Sequence, residues 1–244
     1  MNTYCFKTKK ELGEAAAARI AEILRGAIAA KGEACMVMAT GASQFETVDA
    51  LTHQDVDWSK VVCFHMDEYI GMDESHPASF RNYLKERFAN KVTGLKAFHY
   101  VNGSAPDSQE ECDRLESLIS KYEVDVVQGG IGENGHLAFN DPPADFETER
   151  SYLIVELNEA CRQQQFGEGW FKTLDDVPRK AISIGIRQTM KAKCVICSIP
   201  DLRKAQAVKD CLEGEVSNMH PASILQEHPD CQLFLDTDSA SLLK

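Results

Sequence analysis

Long apolar runs are missing from this 244-residue chain. No stretch approaches the roughly 20 consecutive apolar residues of a membrane span. Residues 1–10 are polar and lack the apolar core of a secretory leader. There is no internal repeat and no low-complexity tract. The Gly-x-x-x-x-Gly-Lys-Ser/Thr nucleotide loop is also absent, which excludes a Walker-type site. Basic residues are outnumbered: 26 Lys and Arg stand against 38 Asp and Glu, a formal net charge of −12. That balance disfavours nucleic acid as a partner. An anionic substrate would have to be met locally, by a few Lys or Arg or by backbone N–H groups at a helix start.

Nine cysteines are present, an odd number spread along the chain. Without a leader, they read as reduced thiols of a cytoplasmic protein. Cys194 and Cys197 have redox or metal spacing, but they lie in KCVICSI, which reads as a buried strand. No second Cys or His pair is near, so the expectation is buried thiols and no metal site. With 43% hydrophobic and 26% charged residues, the chain has ordinary globular composition and enough length to bury a sizeable core.

Apolar residues at helical spacing mark residues 12–30 and 45–53 as helices. Pro77 opens another over 78–90, and APDSQEE caps a fourth over 107–121. Two more fill 202–213 and 221–227. Short apolar runs at 34–40, 60–66, 97–101, 124–131, 151–157, 181–186, 194–199 and 231–236 read as strands. Strand and helix alternate, and several strands are apolar throughout. The expected fold is therefore α/β: a single-domain, Rossmann-like, mainly parallel sheet with helices on both faces, spanning 1–244. Residues 142–150 and 161–176 are the most loop-like, so a lid-like segment is expected at about 142–176.

Ligands of such sheets bind beyond the carboxyl ends of the strands, where three polar stretches fall. TGAS, Thr40 to Ser43, follows a strand and precedes a helix. Gly41 permits a turn whose N–H groups meet an anion, with Thr40 and Ser43 adding hydroxyls. A plain βα turn capped by Ser43 fits those four residues equally well. MDEY ends another strand, where Asp67 and Glu68 point to opposite sides; alone, such a pair is usually solvated or capping. GGIGENGHLAFND follows a third, where glycines allow close backbone approach and His136 can shuttle a proton. Arg203 and Lys204 open a late helix. A solvated helix face is their bland reading, and surface or interface positions are that of His76 and Arg81.

Taken together, MDEYIGM with HPASFRNYL behind it, GGIGENGHLAFNDP, TGAS, RKAQAVKDCLEG and PASILQEHP resemble the glucosamine-6-phosphate deaminases, also called isomerases. The two central motifs are specific, and order and spacing fit across nearly the whole chain. The resemblance implies a sugar-phosphate site at strand ends. The implied reaction turns glucosamine 6-phosphate and water into fructose 6-phosphate and ammonia, with no metal or organic cofactor. Asp67 matches the acid that moves a proton between C2 and C1, and His136 the group that assists ring opening, with Asn134 and Asp141 to orient it. Thr40, Gly41, Ala42 and Ser43 match the phosphate loop and Lys204 a phosphate-binding lysine. Glu68 and Gly135 are carried over as substrate-binding.

This chain departs from the family pattern at several points. Asn134 stands where the family has Asp, removing a negative charge that would stabilise an imidazolium. Asp141 replaces Glu with a side chain one methylene shorter. The lid stretch RQQQFGEGWF has no Arg at the place of the family's phosphate-binding arginine, which leaves Arg162 or Arg187 as substitutes. The longer tail of the allosteric, hexameric members has no counterpart, so no strong allosteric control is expected. A homo-oligomer is compatible with the sequence. Two other readings compete. One is a 6-phosphogluconolactonase-like hydrolase, which usually follows the histidine with a Thr-Ala-Ser-Leu-Phe type of run that GHLAFND lacks. The other is a sugar-phosphate sensor without catalysis, which rests on Asn134 and is opposed by the retained Asp67 and His136.

Overall fold

The computed structural model describes residues 1–244. In chain order the strands are β1 (Asn2–Phe6), β2 (Ala34–Met38), β3 (Val61–His65), β4 (Asp67–Tyr69), β5 (Ala97–His99), β6 (Val126–Gly129), β7 (Tyr152–Glu156), β8 (Lys180–Ile184), β9 (Cys194–Ile199) and β10 (Cys231–Asp236). The helices are α1 (Lys9–Lys31), α2 (Phe45–Thr52), α3 (Phe80–Leu84), α4 (Ser108–Ile119), α5 (Glu159–Gly167), α6 (Ile186–Met190) and α7 (Ala205–Glu213).

All five residues of β2 are buried. Alternation sends Cys35 and Val37 to one core and Ala34, Met36 and Met38 to the other. A strand apolar on both faces must be covered on both, and β3 and β9 repeat the pattern. These strands lie in a seven-stranded, wholly parallel sheet of order β1-β10-β9-β6-β2-β3-β5. Helices α4, α6 and α7 cover one face, with residues such as Leu115, Ile186 and Val208. Helices α1, α2 and α3 cover the other, with Ile20, Leu51 and Leu84. Cys194 and Cys197 fall on opposite faces of β9, both buried, so they share no ligand position. No helix is long and apolar enough to cross a membrane.

The structure corrects several sequence expectations. The runs at 151–157 and 181–186 do not join the parallel sheet. They form β7 and β8, which pair antiparallel with β4 in a separate three-stranded sheet. Strand β7 alternates between buried and more exposed positions, the mark of an antiparallel sheet with one wet face. Strand β1 escapes the apolar signal because its side chains are mostly exposed. It joins as an edge strand through backbone pairing to β10. Helix α3 starts later than Pro77: Ser79 is its cap, accepting from Asn82 N. It runs into a wider turn in which Asn90 N reaches Lys85 O. The second loop-like stretch contains α5, capped by Asn158, whereas 142–150 carries neither helix nor strand.

Helix α2 leaves the TGAS loop and docks on α1 through Gly13. A Cβ built at Gly13 would sit 2.6 Å from Glu46 Cβ and 2.8 Å from Thr47 N. The space is taken by the backbone that carries the loop. Gly13→Ala therefore costs about 1–3 kcal/mol of stability from overpacking, despite alanine's better helix propensity. Gly26→Ala, on the same helix with nothing within 4 Å, gains about 0.5–1 kcal/mol. Urea denaturation of the two variants checks the contrast.

Candidate active site

From β2 the chain steps one way through β3 to β5, and from β6 the other way through β9 to β10. The order reverses between β2 and β6, and ligand sites of open α/β sheets lie at that crevice. Here it holds a cavity of about 60 Å³. Thr40, Gly41, Ser43 and Gln44 line it from beyond β2, Met66 and Asp67 from beyond β3, Gly130, Gly132 and His136 from beyond β6, and Lys204 from beyond β9. Gln164, Gln165 and Glu168 close it from α5 and its end, with Phe80 and Phe139 beside them.

Asp67 and Glu68 do face opposite ways. Asp67 lines the cavity, while Glu68 is fully buried behind it. The Glu68 carboxylate accepts from Tyr69 N at 3.0 Å, Ser79 Oγ at 3.0 Å, Phe80 N at 3.2 Å and Arg81 N at 2.8 Å. It thus holds the first turn of α3 against β4. This corrects its expected role, because Glu68 touches the α3 amino terminus and not the cavity. Burial pushes Glu68 up to about 7, with those four donors opposing. Burial, and then the Glu68 charge, push Asp67 up to about 8. With four donors on Glu68, it is Glu68 that carries the negative charge and Asp67 that keeps the proton.

His136 rests on Gly132, where any Cβ would overlap the imidazole. Its Nδ1 lies 2.7 Å from Asn134 Oδ1 and 3.3 Å from Asp141 Oδ1. Asn134 Nδ2 donates to Asp141 Oδ1 at 2.9 Å, so the amide oxygen faces the imidazole. The network places the proton on Nδ1 and leaves Nε2 without a protein partner. Asp141 also accepts from Asn158 N at 2.8 Å. Burial opposes ionisation of Asp141, but the bonds from His136, Asn134 and Asn158 win and hold it below its ordinary value. The shorter side chain still reaches the histidine, so a carboxylate remains beside it despite Asn134. Asn134 and Asp141 stand behind the ring and do not line the cavity.

Lys204 is 2% exposed, and burial brings its ammonium down to about 8. Arg203 turns away to Glu133, 3.3 Å distant. Gly41, with φ of +97°, opens the loop, and Ala42 N donates to Glu168 Oε2 at 3.4 Å. Gly135, expected at the substrate, instead packs beside Cys211 and His220 with φ of +82°. It shapes the turn rather than the cavity. Neither Arg162 nor Arg187 lines the cavity. Arg162 donates to the carbonyls of Leu174 and Val177. Arg187 bonds Phe146 O, Glu147 and Glu149. His136, Asp141 and Cys161 offer three donor atoms within 4.8 Å, but hydrogen bonds among themselves and to Asn134 and Asn158 already engage them.

Gln164, Gln165 and Glu168 were not anticipated. Their signal was the spacing of Gln164 and Glu168 by four, one helix face, which is invisible when the stretch is read as loop. Gln164 accepts from Glu133 N at 2.8 Å and Gln165 from Tyr69 Oη at 2.7 Å.

Glu68→Ala strands three buried backbone N–H groups and costs about 3–5 kcal/mol. Chemical denaturation reads this loss. Unchanged stability with weakened substrate binding would instead return Glu68 to the cavity.

A sequence model of the family described as glucosamine-6-phosphate isomerases/6-phosphogluconolactonase matches residues 7–233. A glucosamine-6-phosphate deaminase of Bacillus cereus is 36% identical over 242 residues, 99% of this chain and 89% of that one. Among solved structures, a monomeric glucosamine-6-phosphate deaminase superposes with a TM-score of 0.90 at 31% identity, covering 99% of this chain and all of that one. The 6-phosphogluconolactonase of Trypanosoma brucei shares the fold, with a TM-score of 0.82 at 16% identity over 100% of this chain and 98% of that one. By its sequence, its fold and the positions of its motifs, the chain belongs to the glucosamine-6-phosphate isomerase/6-phosphogluconolactonase family.

Proposed function

We propose that this protein converts glucosamine 6-phosphate and water into fructose 6-phosphate and ammonia. The observation that carries the reading is one cavity lined by a carboxyl group, an imidazole with a free Nε2 and a buried ammonium. The 36% identical deaminase supports it over lactone hydrolysis.

The Thr40–Ser43 loop and Lys204 hold the phosphate. It makes no bonds in the reaction, so its binding energy fixes C1 and C2. His136 Nε2 takes the C1 hydroxyl proton and delivers a proton to the ring oxygen, opening the sugar. Asn134 Oδ1 fixes the Nδ1–H tautomer, and the Asp141 carboxylate stabilises the transient imidazolium. Asp67, as carboxylate, removes the C2 proton to give an enolamine and returns it to C1. The resulting C2 imine adds water and loses ammonia, leaving the ketose. One carboxylate suffices because the proton moves between neighbouring carbons.

Ammonia and fructose 6-phosphate should appear together from glucosamine 6-phosphate. Galactosamine 6-phosphate and 6-phosphogluconolactone are assayed beside it. Release only from galactosamine 6-phosphate would move the substrate and keep the chemistry, and lactone hydrolysis without ammonia release would overturn the reading.

Asp67→Asn should lower kcat by about 10²–10⁴-fold while sugar-phosphate binding stays within a few-fold. Undiminished turnover contradicts its assignment. The pH profile of kcat/KM should be a narrow bell. It rises as Asp67 loses its proton near 8 and falls as Lys204 loses its own near 8. A rising limb at an ordinary carboxylate value, about 4, would contradict the role of Asp67.

A further inference from the structure

The wall of the candidate cavity contains one acid placed to move. Glu168 is the residue just past α5. Its carboxylate accepts from Ala42 N at 3.4 Å, on the loop assigned to the phosphate. The chain's own anion therefore occupies an N–H group that a phosphate would use. Gly167 and Gly169 flank it, each with nothing within 4 Å of a built Cβ, and Gly169 has φ of +85°. No packing at these two positions pins the end of the helix.

Beyond Glu168 lies a second cavity of about 290 Å³, lined by Phe45, Tyr83, Arg87 and Trp170. Glu168 and Gly41 line both cavities, so this side chain is part of the partition. Tyr83 joins the two sides: its hydroxyl donates to Gly41 O at 3.2 Å and its ring stacks on Phe45. The Arg87 guanidinium lies 3.9 Å from the centroid of the Phe45 ring, and none of the ion pairs in the structure involves it. A cation without an acid thus borders the space next to an acid that blocks an anion site.

We propose that Glu168 is a specificity gate: it holds the phosphate loop until a phosphate displaces it, then swings to Arg87, joining the two cavities. The inference rests on the phosphate role assigned to residues 40–43. A neutral sugar cannot displace a carboxylate from a peptide N–H, whereas a dianion backed by Lys204 can, so the gate makes phosphorylation of the substrate obligatory. The displaced carboxylate gains an ion pair with Arg87, which offsets part of the cost of opening.

The test measures the affinity of the full chain for inorganic phosphate by calorimetry. Glu168→Gln and Glu168→Ala should both bind phosphate about tenfold more tightly, because a charge-assisted hydrogen bond of this size no longer competes. Mere structural damage would weaken binding, not tighten it. Arg87→Gln should weaken phosphate binding in the parent chain and have no effect in the Glu168→Gln background. Unchanged or weaker affinity in both Glu168 variants overturns the gate. An Arg87→Gln effect that persists without Glu168 overturns the swing and makes Arg87 a direct phosphate ligand. Tighter phosphate binding in the Glu168 variants with no ammonia release from any amino-sugar phosphate would sink the reaction proposed above and leave the gate standing. Turnover with unchanged phosphate affinity does the reverse.

Discussion

A carboxylate buried without a close, dedicated counter-ion organises this site. Glu68 is fully covered, and the nearest guanidinium nitrogen, Arg81 Nε, stands 3.7 Å away. Arg81 spends its other nitrogens on Asn102, Ser104 and the carbonyl of Met72. The charge is therefore stabilised mainly by four short hydrogen bonds, three of them from backbone. That arrangement locks α3 onto β4, and strand alternation then forces Asp67 into the cavity. It also places the Glu68 carboxylate, itself pushed up to about 7, next to Asp67. In the proposed reaction Asp67 both takes and returns a proton, and a carboxyl raised toward neutral pH suits that role.

The same logic runs through the rest of the cavity. Lys204 is desolvated, so its ammonium is suited to an anion but exists over a limited pH range. His136 is held by a neutral amide with a carboxylate beside it, so ring orientation and charge stabilisation are divided between Asn134 and Asp141. Helix α5 is tied into both ends. Asn158 bonds Asp141 beneath the histidine, and Glu168 bonds Ala42 N of the 40–43 loop. A movement of α5 would be felt both at His136 and at the 40–43 loop.

Much of this was legible before the fold. The parallel sheet followed from strands such as ACMVM and CVICSI, apolar on both faces, and the cavity residues Asp67, His136 and Lys204 from motifs at strand ends. Other features were not legible, for physical reasons. Strand β1 is held by backbone pairing and has almost no buried side chains to announce it. The antiparallel sheet of β4, β8 and β7 needs long-range pairing that no local pattern encodes. Glu68 looked like a second site acid because its partners lie 11 to 13 residues away on α3. Glu168 was hidden because α5 carries few apolar residues, and an apolar period is what marks a helix in sequence.

The central claim is that the buried Glu68 charge helps lift Asp67 into the neutral range. Carbon-detected NMR titration of the Asp67 side-chain carboxyl in the free protein, with and without Glu68→Gln, measures it directly. The account predicts a midpoint near 8 in the parent chain and a clearly lower one once the neighbouring charge is gone. A midpoint near the ordinary aspartate value of about 4, or one indifferent to Glu68→Gln, would contradict it.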